Sequence, residues 1–112
     1  MNFLNITINI TEKNNGLHVD LHGEIDAYTA PELRDKLFQY TNLPGVQMVV
    51  DLSGVTYMDS TGLGVFVGLF KALKTNEGKL NIIGLSERLK RLFDITGLAD
   101  VMDINTEVEG GV

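Results

Sequence analysis

No cysteine occurs among the 112 residues, which removes disulfides, thiolate metal sites and cysteine nucleophiles together. Basic residues are outnumbered, 9 Lys and Arg against 15 Asp and Glu for a net charge of −6. With no basic cluster to neutralise phosphates, direct nucleic-acid binding is not expected. No apolar run reaches membrane-spanning length, and the N-terminus lacks a basic region followed by an apolar signal core. No membrane segment is therefore expected, and the protein is placed in the cytoplasm. What remains is globular material: 44% hydrophobic and 21% charged residues, enough for a single domain around one core. That domain is expected over residues 1–106, with 107–112 a flexible C-terminal tail.

The stretch Val46 to Leu73 organises the chain. An apolar strand, Val46 to Leu52, leads through a turn at Ser53-Gly54 and an extended link, Val55 to Met58, into Asp59-Ser60-Thr61-Gly62-Leu63-Gly64 at the start of a helix. A strand feeding a helix through such a turn directs backbone N–H groups at whatever the serine carries. Helical projection puts Leu63, Phe66, Val67 and Phe70 on one side and Val65, Leu69, Ala72 and Leu73 on the adjoining arc. The remaining stripe is Gly64, Gly68, Lys71 and Thr75. Each glycine costs a helix about 1 kcal/mol relative to alanine, so the stripe is either a neutral exposed face or a place where a partner approaches the backbone closely.

Before this stretch, Leu4, Ile6, Ile8 and Ile10 alternate with polar residues, Asn14-Asn15-Gly16 supplies a turn, and Leu17, Val19 and Leu21 resume the alternation. His18, Asp20 and His22 share the polar face of the second strand. Two histidines and one carboxylate lack a fourth ligand and supporting partners, so no metal site is expected there. Thr29-Ala30-Pro31-Glu32 has capping-box spacing, with Tyr28 and Leu33 at the staple positions, and the helix carries Leu33, Leu37 and Tyr40 inward before Pro44-Gly45. After the central strand and helix, Lys79 to Ile83 forms a strand. Ser86 caps a helix with Leu89, Leu92 and Phe93 on one face and Gly97 beyond its end, and Val101 to Ile104 is a short last strand.

The order β-β-α-β-α-β-α-β implies an α/β domain with a mixed, mostly parallel sheet of about five strands and right-handed crossovers. The C-terminal ends of parallel strands then lie on one edge, where such proteins bind ligands and partners. That edge gathers Glu24 to Tyr28, Asp59 to Gly64, and Gly84-Leu85-Ser86, so three loops are expected to converge on Ser60.

A catalytic role for Ser60 needs a general base, and neither histidine lies in the three loops. Met58 stands two before Ser60 where a nucleophile elbow has glycine. The glycines at 62, 64 and 68 lack the Lys-Ser/Thr that completes a phosphate loop. Two readings of Ser60 remain: a helix N-cap, which position alone favours, and an exposed hydroxyl modified by a kinase.

Three segments carry a resemblance: Gly23-Glu24-Ile25-Asp26-Ala27-Tyr28-Thr29-Ala30, Tyr57 to Gly68 with Asp59-Ser60-Thr61-Gly62 at its centre, and Leu85 to Leu98. They resemble the bacterial anti-sigma-factor antagonists of the STAS-domain family nearly end to end. The likeness is greater to the general-stress sigma-B branch of Gram-positive bacteria than to its sporulation relative.

The resemblance implies a partner-switching regulator, not an enzyme, with no cofactor of its own. In the family, the unphosphorylated antagonist binds an anti-sigma factor that is also a serine kinase, displacing the sigma factor. The kinase uses ATP and Mg²⁺ to phosphorylate the hydroxyl residue after the aspartate, here Ser60 and not Thr61, and a PP2C-type phosphatase restores the free form. Partner binding then falls to Asp26, Tyr28, Asp59, Thr61, Gly62, Gly64, Gly68, Leu85 and Ser86 around Ser60, and the free protein is expected to be a monomer. The alternative is a STAS-type nucleotide-binding or scaffold module.

Overall fold

The computed structural model describes residues 5–14, 16–98 and 103–104, the last pair as backbone only. The expected tail at 107–112, Leu4, Asn15 and the first half of the strand expected at Val101–Ile104 lie outside the described residues. In chain order the elements are β1 (Ile6–Lys13), β2 (Gly16–Ile25), α1 (Ala30–Phe38), β3 (Gln47–Met58), α2 (Ser60–Thr75), β4 (Lys79–Ile83), α3 (Glu87–Thr96) and β5 (Asp103–Ile104). The sheet runs β1-β2-β3-β4-β5, antiparallel between β1 and β2 and parallel thereafter. The order and alternation expected from the sequence are thus the ones present. No helix among the described residues is long and apolar enough to cross a membrane.

Each parallel step moves one strand further in the same direction through a helix, and right-handed crossovers then place all three helices on one face of the sheet. The strand residues obey that geometry. Leu17, Val19, Leu21 and Ile25 of β2, Met48, Val50 and Leu52 of β3, and Leu80 and Ile82 of β4 are buried beneath the helices. His18, Asp20, Val49, Asp51 and Asn81 alternate with them on the open face and stay partly exposed. Because α2 lies between α1 and α3, it buries more of its circumference than either: Leu63, Val65, Phe66, Leu69 and Leu73 are all in the core. Phe66 meets Phe93 of α3 with ring centroids 6.4 Å apart, and Leu33 and Leu37 close the α1 side.

Two local expectations are overturned. Ser53-Gly54 is not a turn, because β3 runs unbroken from Gln47 to Met58 and pairs with β2 to its end, Ile25 opposite Met58. Register shifts between Asp20 and His22 and between Gly23 and Glu24 absorb the irregularity. The His22 ring lies in the space that a Cβ on Gly54 would take, so the glycine lets the ring lie flat on β3. The capping box at Thr29 also fails: Thr29 is buried with helical backbone angles and makes no side-chain cap, and Tyr28 at the supposed staple is 80% exposed.

Ladder lengths decide what adjoins the start of α2. β4 accompanies β3 only from Gln47 to Asp51, whereas β2 accompanies it to Met58. Among the described residues, the final stretch of β3 is therefore flanked by β2 alone.

Candidate functional site

The β2–α1 loop is shaped by its own hydrogen bonds. The Asp26 carboxylate accepts the N–H groups of Tyr28 (2.9 Å) and Thr29 (3.1 Å), an Asx-type turn. The Thr29 hydroxyl donates to the Glu24 carbonyl (2.9 Å) and accepts the Asp26 N–H (2.9 Å). With Thr29 spent inward, the chain turns Tyr28 into solvent. Asp26 thus shapes the loop as well as lending it charge.

The start of α2 is tied directly to this loop, since the Asp59 N–H donates to the Ile25 carbonyl at 3.3 Å. Asp59 sits in extended conformation and its carboxylate accepts the N–H groups of Thr61 (3.0 Å) and Gly62 (3.2 Å). The N-cap of α2 is therefore Asp59, and Ser60 is the first helical residue, not the cap the sequence favoured. Ser60 and Thr61 are both exposed. The Ser60 hydroxyl stands at the positive end of a 16-residue helix, where the N–H groups of Thr61 and Gly62 are already held by a carboxylate.

Of the residues expected to line this surface, Asp26, Tyr28, Asp59, Ser60 and Thr61 are brought together by β2, β3 and α2, and Gly64 follows one turn along. Nothing stands within 4 Å of a Cβ built on Gly64, which leaves it open to a partner. Gly68 is different: its Cβ would lie 3.2 Å from Phe38 Cζ, so this glycine serves the packing of α1 on α2. Gly62 is buried against Ile25 and Met58, and Leu85 is buried at 8% exposure; neither offers a side chain to a partner. Ser86 caps α3 by accepting the Leu89 N–H at 3.2 Å. Its loop lies elsewhere than expected, because Gly84 backs onto Asp51 and Ser53, seven residues short of Ser60 along the chain. Two loops meet directly at Ser60; the third flanks β3 further back.

Tyr57 was not legible as a surface residue, yet it is 45% exposed beside this site. Strict alternation after the buried Val55 would turn Tyr57 inward, and the register shift at Gly23/Glu24 turns Met58 inward instead. Charge in the two joined loops is of one sign, Glu24, Asp26 and Asp59 with no Lys or Arg between 23 and 29 or between 56 and 64. His18 and His22 sit on β2 as expected, His22 against Gly54 and His18 Nε2 3.4 Å from Asp20 Oδ1. The site therefore presents an unencumbered hydroxyl, two exposed tyrosines and an acidic rim, an arrangement suited to protein recognition and to a change of charge at one atom.

A family model described as STAS domain matches residues 7–110. The anti-sigma-B factor antagonist of Bacillus subtilis is 50% identical over 109 residues, covering 97% of this chain and 99% of the relative. That of Listeria monocytogenes is 50% identical over 109 residues, covering 96% and 94%. Among solved structures, an anti-sigma factor antagonist from Mycobacterium paratuberculosis superposes with a TM-score of 0.75 at 26% identity, covering 95% of this chain and 90% of that one.

Proposed function

Because the chain belongs to the STAS-domain family, we propose that it is an anti-sigma factor antagonist whose partner choice is switched by phosphorylation of Ser60. Unphosphorylated, it binds an anti-sigma factor that is also a serine kinase and so releases the sigma factor. Phosphorylated, it lets go, and a PP2C-type phosphatase returns it to the binding form. The protein acts in the cytoplasm as a regulator and catalyses nothing itself.

The observation that carries this reading is the division of labour between Asp59 and Ser60. Asp59 does the capping, so the Ser60 hydroxyl is exposed and unneeded by the fold. A phosphate there adds about −1.5 to −2 charges and three acceptor oxygens. The helix N–H groups of Thr61 and Gly62 are already bonded to Asp59, which leaves that of Ser60 itself to meet the phosphate. Most of the new charge is thus displayed outward, beside Asp26 and Asp59. A partner surface that accepts a neutral hydroxyl among carboxylates must then desolvate a dianion, and binding weakens while the domain stays folded. Tyr28 and Tyr57 supply the apolar contact, since exposed rigid aromatics carry much of the energy of such interfaces.

Intact mass after incubation with the cognate anti-sigma kinase and ATP tests the proposal. Gain of a single phosphoryl group by the wild type, none by Ser60→Ala, and loss of kinase binding by the modified protein are expected. Stoichiometric phosphate on Ser60→Ala would refute the assignment.

A further inference from the structure

The ladder between β2 and β3 sets Asp20 directly beside Asp51, and the ladder between β1 and β2 sets Asn9 beside Asp20. Three adjacent strands thus place polar side chains in one row on the face away from the helices. His18, two residues before Asp20, shares that face and comes within 3.4 Å of it, Nε2 to Oδ1. One ligand atom from each of His18, Asp20 and Asp51 falls within 4.8 Å of the others. Like charges directly across neighbouring strands are destabilising, and here two carboxylates are so placed with no Lys or Arg beside them in the row Asn9, Asp20, Asp51, Ile83. Asp51 is also held in orientation, its Oδ1 accepting the Ser53 N–H at 2.9 Å.

We propose that His18, Asp20 and Asp51 form a divalent transition-metal site on the open face of the sheet, with Zn²⁺ the ion it fits. An imidazole nitrogen with two carboxylates is a donor set that Zn²⁺ accepts, whereas Mg²⁺ and Ca²⁺ favour oxygen alone and more of it. Tetrahedral bonds of about 2.0–2.1 Å put donor atoms about 3.4 Å apart, the separation His18 and Asp20 already have. Asp51, whose ligand oxygen lies within 4.8 Å of the other two donors, closes the remaining distance when the ion binds, and water fills the fourth position. The ion converts the Asp20–Asp51 repulsion into a bridge between β2 and β3. The sequence grouped His18 and Asp20 with His22 and no metal site was expected there; in the structure the His22 ring is laid on Gly54, and Asp51 from the next strand joins His18 and Asp20 in its place.

Titration calorimetry of the untagged full chain with ZnCl₂ is expected to give one ion per chain. His18→Ala, Asp20→Asn and Asp51→Asn should each weaken binding by about tenfold or more, as loss of even a supporting partner does. His22→Ala should bind as wild type does. Co²⁺ added to the wild type should give the visible bands of a four-coordinate site, absent from His18→Ala and not displaced by excess Mg²⁺. All four positions are outside the buried core, so the variants are expected to keep the wild-type circular dichroism, and each folded variant tests the site by itself. Absence of both the heat and the Co²⁺ bands in the wild type, binding undiminished in His18→Ala or Asp51→Asn, or loss of binding in His22→Ala would each overturn the assignment.

Discussion

Alanine placed in turn at Gly62, Gly64 and Gly68 probes three environments on one helix with the same added methyl group. Helix propensity favours the change by about 0.8–1 kcal/mol each time. At Gly64 nothing lies within 4 Å of the new Cβ, so the full gain of about 1 kcal/mol is expected. At Gly68 the methyl stands 3.2 Å from Phe38 Cζ, the far end of a half-buried ring that has to yield by a few tenths of an ångström; the gain there should shrink toward zero. At Gly62 the methyl meets Ile25 Cγ2 at 2.7 Å, Met58 Cγ at 2.8 Å and the Ile25 carbonyl oxygen at 3.0 Å. Both side chains are buried and that carbonyl is bonded to the Asp59 N–H, so the backbone itself obstructs relief. Overpacking of this kind costs about 1–3 kcal/mol, leaving Gly62→Ala net destabilised by up to about 2 kcal/mol after the propensity gain. In a domain of this size about 1 kcal/mol moves the melting temperature by about 4 °C. Urea unfolding, with unchanged m-values, reads the order Gly64→Ala above Gly68→Ala above wild type or level with it, and Gly62→Ala below. A Gly62→Ala protein as stable as Gly64→Ala would refute the close approach of α2 to the end of β2.

Ser60→Ala should shift unfolding free energy by no more than about 0.5 kcal/mol, as at other exposed surface sites, whereas Asp59→Ala should lose about 1 kcal/mol with the cap; the two denaturation midpoints compare them directly. Asp59→Asn keeps a good cap, so stability holds while the phosphorylation rate by the kinase falls if its charge orients the acceptor. Thr29→Val removes both hydrogen bonds of a buried hydroxyl and should cost about 1–3 kcal/mol, with circular dichroism reporting the earlier melt. Gly64→Leu, Tyr28→Ala and Tyr57→Ala should leave melting near wild type yet weaken kinase binding by at least tenfold, about 1.4 kcal/mol, measured by calorimetry; normal binding by all three would move the interface elsewhere.

The two ends of α3 were readable from the chain because capping is local chemistry: Ser86 accepts the Leu89 N–H, and Gly97 takes a φ of 79° just past the helix. The same kind of signal misled at Thr29, whose hydroxyl is captured by a carbonyl five residues back instead of by its own helix. Asp59 and Ser60 are comparable caps by preference; the tie is broken by the Ile25 carbonyl, which holds the Asp59 N–H and keeps that residue extended. Ser53-Gly54 carries turn chemistry, and only the His22 ring on the next strand explains the glycine without a turn.

By itself the sequence determined the order of the elements, the apolar face of each and the Asp59-Ser60-Thr61-Gly62 motif at the start of α2, because periodicity and family motifs are properties of the chain taken a few residues at a time. Register was decided by the tertiary structure. It carried β2 beside β3 as far as Met58 while β4 stopped at Ile83, joined two loops at Ser60 and held the third against Ser53. It assigned Gly62 and Gly68 to internal packing and left Gly64 open, although the three look alike in the chain. It also set Asp51 beside Asp20, a pairing between residues 31 positions apart. Which strand residues face each other depends on how bulges and helix lengths are reconciled across the whole sheet, and no local stretch contains that information.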